Sequence, residues 1–308
     1  MGRVSVDVYP LQIGVSLRKV ESFGKYLGGS PTNVAVAAAR YGRRSAVITR
    51  TGQDPFGSFV HDALRRFGVD DRYVTAVAGL PTPVTFCEIL PPDNFPLYFY
   101  RQPKAPDLEI RADELDYDAI RSAKILWVTV TGLSQEPSRS ATLAALEARA
   151  GSGMTILDLD YRPIFWSGRD AAREQVRRAL PYATVAVGNL DECDTAVGLH
   201  EPQAAAAALR GAGVDLAIVK QGPKGVFAVD GEAAVEVPPI PVEVVNGLGA
   251  GDAFGGALCH GLLSGWELER TMWFCNGAGA LVASRLACAD AMPDEPEVLT
   301  LLEGGVHV

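Results

Sequence analysis

The sequence predicts an α/β fold in which a largely parallel sheet is covered by helices, and three observations carry that expectation. Short apolar runs rich in β-branched residues recur at 45–49, 125–129, 155–159, 184–187 and 216–219. Runs that are apolar on both alternating faces suit strands buried on both sides. Between them lie Ala-rich amphipathic stretches of helical length, and strands that alternate with helices are joined by crossovers, which makes neighbouring strands parallel. Finally, the chain has 308 residues, 48% hydrophobic and 21% charged, enough for a substantial core without disulfide staples.

The helices have legible ends. Asp54-Pro55 opens one that Gly68 stops, and Glu136-Pro137 opens another that runs toward Gly151, because an acidic cap and a proline suit a first turn and a glycine suits the exit. Ala204 to Ala208 marks a further helix of high intrinsic propensity. Two stretches break the βα rhythm. Residues from about 7 to 27 and from about 83 to 101 alternate apolar and polar side chains without helix length, and the second is rich in aromatics (Phe86, Phe95, Tyr98, Phe99, Tyr100). They are expected to form a small antiparallel sheet inserted in a single domain spanning 1–308, either as a lid over a site or as an extra edge hairpin.

Composition narrows the function. With 28 Lys and Arg against 37 Asp and Glu the net charge is −9, which argues against nucleic acid as a partner while leaving a small anionic ligand open. The five cysteines are odd in number and scattered, with no C-x-x-C pair, as in a reducing compartment. No zinc-ligand spacing, apolar leader or long apolar window stands out. No membrane association is expected, and the cytoplasm is the expected location.

The sharpest local signal is Asn246-Gly247-Leu248-Gly249-Ala250-Gly251-Asp252, followed by an apolar helical pattern through Leu263. Glycines just ahead of a helix let a ligand approach the backbone, and the helix start offers unpaired N–H groups and a positive dipole end to an anion. Asp252 can serve there as a helix cap or as a base facing the bound anion. The dinucleotide pattern G-x-G-x-x-G fails at its last position, which is Phe254 counted from Gly249, and no window matches a Walker loop.

Three further segments stand in a telling order: Gly28-Gly29-Ser30-Pro31-Thr32-Asn33, Asn189-Leu190-Asp191-Glu192 and Lys220-Gln221-Gly222-Pro223-Lys224-Gly225. With the Gly249–Asp252 segment they make the chain resemble the PfkB, or ribokinase-like, carbohydrate kinases along nearly its whole length. That resemblance implies a three-layer αβα domain with a mostly parallel central sheet and a small β lid, and an enzyme that moves the γ-phosphate of ATP to a sugar hydroxyl. It implies Asp252 as base, the backbone N–H groups of Gly249, Ala250 and Gly251 as the anion hole, and Asp7, Gly28, Gly29 and Asn33 as sugar ligands. Asn189, Lys220, Gly222, Gly225, Gly249, Gly251 and Asn276 fall on the nucleotide side. Glu192 and Asn189 fall near magnesium, acting through water.

Arg101 and Arg162 are candidates for a substrate carboxylate or keto oxygen, since a guanidinium fork can grip either, and Asp160 either contacts the substrate or orients Arg162. Gly2-Arg3-Val4 with Asp7-Val8-Tyr9-Pro10, the run from Phe95 to Arg101 and the run from Asp158 to Pro163 resemble the 5-dehydro-2-deoxygluconokinase branch, whose substrate is a keto-sugar acid phosphorylated at its terminal 6-hydroxyl. Kinases of 2-keto-3-deoxygluconate, ribose or fructose are the alternatives within the class, and a non-catalytic sugar-binding sensor is the alternative outside it. Two departures stand out. Family members often carry Asp-Thr-Thr, in a region that helps bind potassium, where this chain has Asn246-Gly247-Leu248. The chain also begins at Met1, close to the Gly2-equivalent position, so either its start is placed late or its first strand is short. The resemblance further implies a homodimer formed through lid strands, an uncovered sheet edge being prone to such pairing.

Overall fold

The computed structural model describes residues 1–305, which divide into two compact units: residues 3–107 with 240 onward, and residues 1–2 with 108–239. The first unit opens with β1 (Ser5–Pro10), β2 (Phe23–Gly28), α1 (Ser30–Arg40), β3 (Ser45–Ala46), β4 (Thr49–Gly52), α2 (Pro55–Arg66), β5 (Val69–Asp70), β6 (Val74–Val77), β7 (Val84–Cys87) and β8 (Leu97–Tyr100). Four of these strands form a sheet in the order β2-β1-β7-β8. Its two segments are those expected to interrupt the βα rhythm, but the sheet is mixed rather than antiparallel, because β1 runs parallel to β7. The long connection through α1 and α2 explains the difference: a hairpin forces antiparallel neighbours, whereas a crossover delivers the chain in the same direction.

The expected strand at 45–49 is likewise two short ones. β3 pairs with β5 and β4 with β6, both in parallel. The partner chain turns at Asp71, whose carbonyl accepts from Val74 N–H at 3.0 Å, and so interrupts the ladder. Asp54 caps α2 as expected, accepting from the Gly57 N–H at 2.8 Å, and Gly68 follows the helix at φ +75°.

The second unit contains α3 (Tyr117–Ser122), β9 (Ile125–Thr129), α4 (Ser138–Arg149), β10 (Met154–Asp158), α5 (Arg169–Ala179), β11 (Val185–Asn189), α6 (Leu190–Val197), α7 (Pro202–Gly211), β12 (Leu216–Lys220), β13 (Val226–Asp230) and β14 (Ala233–Val237). Its sheet has the order β14-β13-β12-β11-β10-β9. β9 to β12 are parallel and β13 and β14 extend the sheet as antiparallel strands. The parallel strands are those the apolar runs mark, and their central residues, Ile156, Leu157, Ala186, Ala217 and Ile218, are inaccessible to solvent. Met1 belongs to this unit, its buried amino group donating to the Trp127 carbonyl at 2.7 Å. Burial pushes that amine down to about 5. The chain then returns to the first unit with α8 (Ala250–Ser264), α9 (Leu268–Ala283) and α10 (Glu295–Gly305). No helix among the described residues is long and apolar enough to cross a membrane.

Candidate functional site

In the first unit, strand alternation places Ser5, Asp7 and Tyr9 on one face of β1. Asp7 is buried, its Oδ1 accepting from Ser5 Oγ at 2.6 Å and its Oδ2 from the Tyr9 hydroxyl at 2.9 Å. Burial raises the Asp7 carboxyl above its ordinary range, against the lowering effect of the Ser5 and Tyr9 bonds and the Arg3 charge. Gly28 makes room for this carboxyl group: a Cβ on Gly28 would lie 2.1 Å from Asp7 Cγ. Gly29 is held at φ +101° against the Arg3 carbonyl, where any Cβ would come within 2.6 Å of that oxygen. α1 begins at the next residue.

Asn33, buried near the start of α1, donates from Nδ2 to Asp252 Oδ2 at 2.8 Å, while its Oδ1 has no partner in the protein. A buried acceptor without a partner is costly, and an arriving hydroxyl would satisfy it. Gly249 sits at φ +83° immediately before α8, so the first N–H groups of that helix lack intrahelical acceptors and can face an anion. Asp252 is not the helix cap. Gly249 is, and Asp252 stands in the first turn of α8 with its side chain turned to Asn33. Asn33, Asp252 and the Gly249 turn come together in this unit. Asn276 is also in it, half-buried on α9.

Arg101 is nearly buried and grips Asp107 with both terminal nitrogens, at 3.1 and 2.5 Å. Asp107 also accepts from the Val4 N–H at 3.2 Å. Three residues of this region were not singled out by motif: Ser5, Cys288 and Thr85. Thr85 stands beside Asp7 in the β1–β7 register, and its buried hydroxyl has no protein partner. The period-2 pattern of β1 was the one available signal, and of these three it marks Ser5 alone.

In the second unit, polar residues gather at the carboxyl ends of the parallel strands, where open α/β sheets bind ligands. Asp160, just beyond β10, is buried and lies 2.8 Å from the Arg162 guanidinium. Asn189 caps α6: its Oδ1 accepts from the Glu192 N–H at 2.9 Å and Glu192 Oε2 accepts from the Asn189 N–H at 2.7 Å. This reciprocal box fixes Glu192, which is buried rather than solvated and lies 4.0 Å from Arg162. Lys220 is the register neighbour of Asn189 on β12. Gly222 and Gly225 shape the turn that follows, and Gly225 is so close to the Val237 carbonyl that a Cβ would lie 2.0 Å from it.

Magnesium fits as a water-bound partner of ATP rather than as a caged ion. Among the described residues no cluster of three or more His, Cys, Asp or Glu can hold a metal, and Mg²⁺ ordinarily keeps several waters. Asn189 and Glu192 are the residues that would meet those waters. Potassium fits poorly at Asn246. This side chain is inaccessible to solvent, its Nδ2 donates to the Leu286 carbonyl at 2.6 Å and its Oδ1 accepts from the Leu248 N–H at 3.0 Å. A neutral amide whose N–H already engages a carbonyl offers a cation neither charge nor that oxygen.

Comparisons with known proteins point to one family. The profile of the pfkB family carbohydrate kinases matches residues 1–295. A 5-dehydro-2-deoxygluconokinase of Clostridium tetani is 33% identical over 307 residues, covering 97% of this chain and 90% of that protein. Among solved structures, a Vibrio cholerae fructokinase with bound fructose, ADP and calcium superposes with a TM-score of 0.85 at 26% identity, covering 98% of this chain and 97% of that one. An uncharacterized sugar kinase from Pyrococcus horikoshii gives 0.83 at 26% identity, covering 97% and 95%.

Proposed function

The chain belongs to the pfkB family of carbohydrate kinases, has the ribokinase-like fold and uses ATP with a metal ion, and on that premise we propose that it phosphorylates the terminal hydroxyl of a keto-sugar acid, 5-dehydro-2-deoxy-D-gluconate. One observation supports the chemistry above all: Asn33 holds the Asp252 carboxylate at 2.8 Å in the first turn of a helix, whose leading N–H groups have no acceptor within the helix itself. Asp252 takes the proton of the attacking hydroxyl, whose oxygen bonds to the γ-phosphorus as the bond to the ADP oxygen breaks. The N–H groups of Ala250 and Gly251, with the Gly249 turn, stabilise charge on the transferred phosphoryl group. Asp7 and Asn33 orient the sugar hydroxyls, with Gly28 and Gly29 giving the backbone close approach. Magnesium, when bound with ATP, neutralises phosphate charge, and Glu192 and Asn189 meet its water shell. Lys220, Gly222 and Gly225 lie on the nucleotide side, as does Asn276.

The choice of sugar rests on the Clostridium tetani relative and its name. Arg101 and Arg162 are the cations for the substrate carboxylate. Arg162 is the more exposed of the two, and Arg101 already engages Asp107. The family match runs through both units, which we take as parts of one kinase domain. A homodimer through the four-stranded sheet is favoured by its outer face, where Phe23, Phe86 and Tyr100 stack edge-to-face at 5.7 and 5.5 Å and Tyr100 is 65% exposed. A cytoplasmic location fits five buried, unbridged cysteines.

The test is ADP release over a panel of sugars and sugar acids, with Asp252→Asn as control. The keto-acid should give the highest kcat/KM, and the variant should lose about 10²- to 10⁴-fold in kcat while still binding sugar. Turnover by the variant within about tenfold of the parent would remove Asp252 as base. Sugar binding without any turnover in the parent would make the chain a sensor.

A further inference from the structure

The buried face of β1 continues beyond Asp7. The Tyr9 hydroxyl that donates to Asp7 Oδ2 also lies 2.8 Å from Cys288 Sγ, and Cys288 lies under the phosphoryl-binding turn, where a Cβ on Gly249 would come within 2.6 Å of the same sulfur. With Asp7 ionised, its carboxylate only accepts, so Tyr9 gives its proton to Asp7 and the Tyr9 oxygen is left to accept from the Cys288 thiol. Cys288 can supply that proton, since burial and the Asp7 charge push its thiol well above the ordinary range. Tyr9 cannot swing away to water: it is 1% exposed, it packs with Cys87, Ile89 and Cys288, and its ring lies tilted against that of Tyr26, the centroids 5.5 Å apart.

We propose that Tyr9 is a positioning residue for phosphoryl transfer, its hydroxyl fastening the sugar-binding carboxylate of Asp7 to the Cys288 support beneath Gly249, so that the acceptor ligand and the anion-binding turn are held in fixed register. The proposal rests on the roles given above to Asp7 and Gly249. Each oxygen of Asp7 accepts one of these bonds, Oδ1 from Ser5 and Oδ2 from Tyr9, and each carboxylate oxygen keeps a further lone pair for a substrate hydroxyl. The Asp7 side is linked to the Gly249 side by two hydrogen bonds and one van der Waals contact, all within a single unit. The groups bearing on Asp7 are Ser5 and Tyr9 on its own strand, Arg3 just before it, Cys87 on β7 and Cys288 after α9. Asp252 on α8 acts on Cys288.

Tyr9→Phe keeps the ring and removes the hydroxyl. In steady-state assays with the keto-acid and ATP, the variant is expected to raise KM for the sugar about tenfold or more, the effect of one hydrogen bond to a charged group, with KM for ATP within about twofold of the parent. The acid limb of kcat/KM for the sugar should move to higher pH, because Asp7 loses a donor that favours its charged form. Cys288→Ala leaves the Tyr9–Asp7 bond in place and is expected to lower kcat more than it alters the sugar KM, with Cys288→Ser, which keeps a donor, falling less. An unmoved acid limb in Tyr9→Phe, or equal changes in both KM values, overturns the proposal. Should Tyr9→Phe fail to fold, equal kinetics in the Cys288→Ala and Cys288→Ser variants do the same. A parent chain without kinase activity on any sugar acid defeats the function itself, whereas an active parent with a silent Tyr9→Phe defeats only the role of Tyr9.

Discussion

Gly256→Ala is expected to separate catalysis from stability. Gly256 lies one turn beyond Asp252 on α8, and Ala37 one turn beyond Asn33 on α1, so the two close pairs share one seam between the helices. A Cβ on Gly256 would lie 2.2 Å from Ala37 Cβ and 3.0 Å from both Ala37 C and Ala38 N. Carbon atoms settle at about 3.5–4.0 Å, so the helices must part by roughly 1.3–1.8 Å along that line. Added to the 2.8 Å of the Asn33–Asp252 bond, this exceeds hydrogen-bond reach. A misplacement of about 1 Å at reacting groups costs on the order of 10²-fold in rate. Stability should change much less, because overpacking costs about 1–3 kcal/mol and the gain in helix propensity from Gly to Ala returns about 1 kcal/mol. ADP-release kinetics and thermal melts measure the two effects. Ala37→Gly added to the variant removes the worst clash but leaves the 3.0 Å contacts, so recovery should be partial. In an Asn33→Ala background, Gly256→Ala should cost little more in kcat, since the bond it breaks is already gone. A variant with kcat within about twofold of the parent, or a full additional loss in the Asn33→Ala background, would refute the reasoning.

Two further outcomes are expected. Because the Asn246 amide already engages the Leu286 carbonyl, replacing Na⁺ by K⁺ should change the parent's rate by less than about twofold. Asn246→Asp should melt lower in cation-free buffer, where a buried carboxylate faces a carbonyl, and should recover with K⁺; activation of the parent more than about fivefold would overturn this view of Asn246. If copies pair through the four-stranded sheet, Phe86→Lys should shift the mass measured by light scattering from dimer to monomer, and an unchanged mass would place the interface elsewhere.

What the sequence made legible follows from which interactions are local. β9 to β12 are apolar on both faces because helices cover parallel strands, so their identity is written in composition alone. The cap at Asp54 is equally readable, since a cap and the N–H groups it serves are two or three residues apart. The direction of β7 against β1 is not, because Asp7 and Thr85 meet only through a long connection. The break at Val47 follows from a turn in the partner chain near Asp71, which lies outside the apolar run itself.

The site divides along the same line. Glycines at 28, 29 and 249 can be marked from motif, yet the motif does not say what each one makes room for: the Asp7 carboxyl, the Arg3 carbonyl and the Cys288 sulfur. These neighbours come from distant parts of the chain, and Cys288 carries no signature that separates it from the four other buried cysteines. Its thiol is inert toward solvent chemistry, being held protonated by burial, so reactivity is no guide to its role either. What distinguishes Cys288 is contact on both sides, with Tyr9 and with Gly249. A catalytic motif therefore shows which atoms meet the substrate, while the residues that fix those atoms to within a fraction of an ångström emerge only when the packing beneath the motif is known.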